Sequence, residues 1–168
     1  MLLSGLINVR LTINANETIT VVKKRHTVKN TVISSPDKVI LFVGRTFTGH
    51  NHDYAMLKAE FPPEFDWFEG LKLAVDLGYQ GIVNDYRGDD IDIPHKKPRK
   101  SKHKPDTCLT PQQRLANQAL AKIRIYVEHA IGGIKRFNIL VHPFRNRISG
   151  FVHQAMLICS ALWNFSLS

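Results

Sequence analysis

Arg124–Leu140, RIYVEHAIGGIKRFNIL, is the stretch from which the rest of the chain can be read. With Ile123 just before it, Val127, Ile131 and Ile134 recur at spacings of four, four and three. That period gathers apolar side chains onto one stripe of an α-helix. Arg124, Glu128 and Lys135 fall off the stripe, so a carboxylate is placed near two cations on the flank of a helix with a buried face. Read locally, Arg124 and Glu128 are an i, i+4 ion pair on a solvated surface. Read with the segments upstream, Glu128 is a rigidly held, accessible carboxylate able to bind a metal. Gly132–Gly133 costs about 1 kcal/mol per glycine relative to alanine inside a helix, which predicts either a kink or break there or a neighbour that needs the space.

The helix begins well before Arg124. Thr110–Pro111 pairs an N-capping hydroxyl with proline at the first helical position, and Leu115, Leu120, Ile123 and Val127 continue the pattern. Further upstream, the apolar run Leu71–Val75 stops at Asp76, with Gly78 and Gly81 close behind. Asp76 either caps the following turn or stands at a strand end, where sites gather in open α/β sheets and where glycines let backbone approach a ligand.

Between Asp76 and Thr110 lie two charged stretches. Asp85–Asp92 holds four aspartates, without the ligand spacing, central glycine and closing glutamate of a calcium loop, and reads as internal counter-charge. His95–Lys104, HKKPRKSKHK, carries six Lys/Arg and no acid, a composition that cannot build a core. It is predicted to be a loop spanning about 94–106, either a solvated linker or a segment contacting phosphates.

The first third reads as an antiparallel meander. Leu6–Ile13 alternates with the two-residue period of a half-buried strand, Asn14–Asn16 turns, and Thr18–Val22, Thr27–Ser34 and Lys38–Phe47 follow as β-rich runs. The basic tetrad Lys23–His26 is either a charged sheet edge or a nucleic-acid contact. Asp53 is predicted to N-cap a helix running to Glu60 and ended by Pro62–Pro63, with His50 and His52 in a hydrogen-bonding turn rather than on a metal. Phe144–Arg147 is a basic connection, and Phe151–Phe165 a last apolar helix with His153 and Met156 at its core side.

The 168 residues suit one domain, and a 43% hydrophobic content excludes a wholly disordered chain. With 23 Lys+Arg against 14 Asp+Glu the formal charge is +9, which points to a polyanionic partner, nucleic acid before an anionic membrane surface. Two distant cysteines, Cys108 and Cys159, exclude a disulfide framework and a four-cysteine zinc site, and predict a reducing compartment. The absence of a signal-type N-terminus and of a bilayer-length apolar run predicts a soluble protein with no membrane partner.

In order, GHNHDYAML, DLGYQGI, the basic proline-containing segment, LTPQQRLANQALAKIRIYVEHAIGGIKRFNIL and FRNR resemble the C-terminal two thirds of DDE transposases of the bacterial insertion-sequence type, which include the Harbinger-like elements. The likeness spans roughly Lys23 to Asn164. It implies an α/β, ribonuclease-H-like fold: a mixed sheet, an antiparallel three-strand meander joined to parallel strands, flanked by helices. It also implies that Asp76 is the second catalytic aspartate and Glu128 the closing glutamate. Two Mg²⁺ or Mn²⁺ ions on three carboxylates would then cut DNA phosphodiesters, which is coherent because hard cations prefer carboxylate oxygen and a metal pair activates the nucleophile and steadies the leaving oxygen. The implied partner is DNA at transposon ends, with a homo-oligomer open and no small-molecule substrate. The compartment would be the cytoplasm or nucleoid in a bacterium, the nucleus in a eukaryote. Lys96, Lys97, Arg99, Lys100, Lys102, Lys135, Arg136, Arg145 and Arg147 are the candidate DNA contacts.

One family element is not recognisable. The first catalytic aspartate belongs to the first strand, and residues 1–22 here are a degenerate version, in which Asn14–Ala15–Asn16–Glu17 echoes the family's acidic sequence with asparagine where the acid belongs. The family's N-terminal DNA-binding helices are also missing from the sequence. The expectation is a truncated or rearranged copy that binds DNA and cleaves it poorly. The alternatives are a non-catalytic basic DNA-binding remnant and, further off, a protein-interaction module.

Overall fold

The structure, a computed structural model, describes residues 2–13, 26–98, 108–142, 146 and 148–168, with the backbone alone at 2–13, 26, 27 and 89. The runs Thr18–Val22 and Lys23–Arg25, the Asn14–Glu17 sequence, and Arg99, Lys100, Lys102, Arg145 and Arg147 lie outside these residues.

A mixed sheet organises the described chain. β1 (Leu2–Ile13), β2 (His26–Ser34) and β3 (Ile40–Val43) are antiparallel, while β5 (Phe68–Val75) and β6 (Gly88–Asp92) run parallel to β1, in the order β3-β2-β1-β5-β6. The short β4 (Phe47–Thr48) pairs with β2 off this path. β1 is therefore the strand that joins the antiparallel half to the parallel half, with Leu6 beside Ile33 on one side and beside Val75 on the other.

The alternation in β2 sends successive side chains to opposite faces. Val28 and Val32 pack with α3 (Pro111–Ile134) and α4 (Phe151–Phe165) through Val127, Ile131, Ile134, Met156 and Trp163. Ile33 packs with Leu57 of α1 (Asp53–Glu60) and Ile82 of α2 (Ile82–Asp85) in a second core. Helices thus cover both faces, as a sheet containing buried parallel strands requires.

Three sequence expectations are corrected, and the acid-rich stretch, whose Asp85 and Asp90 pair with Lys58 and Lys72 as internal counter-charge, also forms a strand. The run Lys38–Phe47 is two strands, because the Gly44 amide turns to donate to Thr31 O (2.7 Å) while the Asn30 side-chain amide donates to Gly44 O and to Thr46 Oγ1. A Cβ at Gly44 would lie 2.1 Å from Glu60 Oε1, so the Glu60 carboxylate would have to move to admit a side chain there. Within the acid-rich stretch, Gly88–Asp92 is a strand, held by parallel pairing to β5 and by an ion pair between Asp90 and Lys72. The N-cap of α1 is His52, whose Nδ1 accepts from Tyr54 N (3.3 Å), and Asp53 instead pairs with the buried Lys29 ammonium at 2.8 Å. The first strand begins at Leu2 rather than Leu6.

α3 runs unbroken through Gly132 and Gly133, starting from a capping box between Thr110 and Gln113. Of the two outcomes the glycine pair allowed, the crowded neighbour is the one found. A Cβ on Gly133 would lie 2.3 Å from the Trp163 ring, so this glycine is what lets α4 pack against α3. The helix then ends at Ile134, short of the Leu140 limit of the quoted stretch, and a single 3-10 turn follows at Asn138–Leu140. Cys159 is buried and Cys108 exposed, both as free thiols. Among the described residues, no helix is long and apolar enough to cross a membrane.

Candidate active site

Asp76 closes β5 and starts a 3-10 turn, Leu77–Tyr79, accepting a hydrogen bond from Leu77 N at 2.8 Å. The capping role and the strand-end position therefore coincide in one residue. Its Oδ1 also meets Arg124 Nη1 at 3.2 Å, and Arg124 Nε meets Glu128 Oε1 at 3.2 Å. The local i, i+4 pair is thus present, but its guanidinium spans to a second carboxylate 48 positions away. Because one planar fork reaches both acids, their contacting oxygens lie within about 9 Å of each other. All three side chains are substantially exposed, so each ion pair contributes at most about 1 kcal/mol and can be exchanged for another cation.

β5 and α3 bound a cleft of about 140 Å³ here, with Val75, Pro94, Leu120 and Val127 as apolar walls and Asp76 and Arg124 among the polar groups. Its rim carries the root of the basic segment. Asn117 on α3 accepts from His95 N (2.8 Å) and donates to His95 O (3.0 Å), using its amide as a strand partner would. His95 through Pro98 are exposed, and the segment enters at the cleft that Asp76 also lines. Lys135 and Arg136 are exposed at the C-terminal end of the same helix.

The third acid has no counterpart in the described sheet. Leu6 is in register with Val75, which puts the Ile7 and Asn8 backbone at the level of Asp76, and Leu2–Ile13 contains no Asp or Glu. Among the described residues no group of three acids, histidines or cysteines could hold a metal. Asp76 and Glu128 are oxygen donors of the kind a hard divalent ion prefers, and the Arg124 guanidinium lies between them.

Sequence reasoning missed Asn117 and the Asp76 side of Arg124. Neither has a local signal, since both are set by how α3 lies across the end of β5.

An acid at a parallel strand end and a glutamate on a packed helix that meet one arginine, with the root of a basic segment at the adjoining cleft, make a nucleic-acid enzyme the class to compare. The chain belongs to the DDE superfamily endonucleases, whose family pattern matches residues 10–164. It is similar to the probable transposase for insertion sequence element IS702 of Microchaete diplosiphon, 33% identical over 144 residues, which is 85% of this chain and 48% of that protein. The chain spans about half the length of that relative. No solved structure matches it significantly.

Proposed function

We propose that this is a transposase-type DNA endonuclease domain of ribonuclease-H-like architecture, with Asp76 and Glu128 as its acidic ligands, which binds DNA but cleaves it poorly. The observation that carries the reading is the convergence of Asp76, at the end of β5, and Glu128, on α3, upon one guanidinium. An antiparallel meander joined through a central strand to parallel ones supports the architecture. The net charge of +9 and the arm rooted at the cleft support DNA as the partner.

When bound, a divalent ion in this family supplies charge to the scissile phosphate. The chain's own part is to hold two carboxylates at a strand end and a helix flank, and to bring phosphates to them through Lys96, Lys97 and the cations that follow. The poor cleavage follows from β1: an amide or alkyl group there cannot supply the charge that a second ion needs. That strand also favours the second reading, a DNA-binding remnant without catalysis.

Nicking of supercoiled plasmid in Mg²⁺ or Mn²⁺, with Glu128→Gln as the control for contaminating nuclease, separates the readings. Slow nicking lost in the variant supports a weakened enzyme, no nicking with retained DNA binding supports the remnant, and robust Glu128-dependent nicking refutes impairment.

A further inference from the structure

A second cavity borders Glu128 on α3. It is an open groove of about 440 Å³ between the turn after β2, the end of α3 and α4, lined by Lys38, Glu128, His129, Gly132, Arg136 and Trp163. Its polar groups, Glu128 apart, are cationic or titratable. Lys38 stands in a tight turn closed by Ser35 N donating to Val39 O, and its carbonyl accepts from Trp163 Nε1 at 2.8 Å. The Arg136 guanidinium lies over the Trp163 ring, 5.6 Å from its centroid. The same indole therefore supports both cations, and among the described residues neither is in an ion pair.

Gly132 is the feature that internal packing does not explain. It lies four residues after Glu128, on the same side of the helix. Its φ is not positive, and a Cβ built there meets nothing within 4 Å. Alanine would fit and favour the helix, in contrast to Gly133, which Trp163 requires to be bare. A glycine without an inward reason, on the floor of a cationic groove, is accounted for by something that approaches the helix backbone from outside.

We infer that this groove holds the phosphodiester backbone of a DNA strand, with Gly132 as the point of closest approach and Lys38 and Arg136 as its phosphate contacts. The inference rests on the DNA-binding reading above, gives Arg136 a defined role in it, and adds Lys38 and Gly132. A strand lying along α3 over Gly132 passes Glu128 one helical turn away, so the groove sets which linkage reaches the acids.

The test is fluorescence anisotropy of a labelled DNA duplex against salt, with thermal melting of each variant. Gly132→Ala is expected to melt at or above the wild-type temperature yet bind about tenfold more weakly, and Lys38→Gln and Arg136→Gln each to reduce the slope of log affinity against log salt by about 0.9. Arg136→Lys should keep the slope. Wild-type affinity and slope in all three variants would overturn the groove while leaving DNA binding intact. A wild-type chain that binds no DNA would overturn the DNA reading and the groove with it.

Discussion

Asp76 and Arg124 meet at 3.2 Å across the seam between β5 and α3, so the strand end and the helix are tied by a cation in the place we propose for a metal. Replacing that cation tests what it does. Arg124→Gln removes the internal competitor and should tighten Mn²⁺ binding, read by calorimetry, by up to roughly thirtyfold, since two exposed ion pairs contribute at most about 1 kcal/mol each. Unchanged or weaker Mn²⁺ binding would show that Asp76 and Glu128 do not share an ion.

The two adjacent glycines of α3 should respond in opposite directions. Gly133→Ala drives a methyl into the Trp163 ring and should destabilise by about 1–3 kcal/mol in urea unfolding. Gly132→Ala should stabilise by about 0.5–1 kcal/mol. Equal effects would mean that the α3–α4 packing differs from the one described.

Glu60 should make stability fall with rising pH. Both its carboxylate oxygens are buried, and burial raises its pKa, with the polar groups of Thr31 and Arg45 beside it pulling less strongly the other way. Neither approaches closely enough to count as a full hydrogen bond. The folded state therefore holds the proton more tightly than the unfolded one. The stabilisation is full below the ordinary glutamate value of 4.5 and is lost as pH rises through the raised folded value. Glu60→Gln should be more stable than wild type at neutral pH and flatten the profile across that window; a variant less stable at neutral pH would contradict it.

Asn117→Ala should free the root of the basic segment. Both hydrogen bonds it removes are at the surface, so stability should fall by about 1 kcal/mol or less. Trypsin cleavage after Lys96 should quicken clearly, as seen by mass spectrometry over time, and an unchanged cleavage rate would mean that the clamp does not hold the segment.

Much of this was legible because it is local. The capping box at Thr110, the helical stripe through Ile134 and the strand ending at Asp76 follow from period and end signals. β6 was not, because GDDID has a single apolar residue, and its pairing depends on Lys72 of a strand 16 or more residues earlier. The break after Val43 was hidden because it is made by Asn30 and Thr31 of the neighbouring strand. At the candidate site, the sequence drew attention to Asp76 and Glu128 but not to the arginine they share, since spacing shows Arg124 only its partner one turn away.

The central place of β1 bears on the order in which the domain assembles. Its pairing with β2 closes a short connection, whereas Leu6 and Val75 are separated by about 70 residues of chain, and parallel pairings across such distances are slow to form. The acids on β5 and α3 depend on that late seam for a fixed frame. A refolding chain would therefore acquire its antiparallel half first and the meeting of Asp76 and Glu128 at Arg124 last, so that contact should lag behind the recovery of β structure.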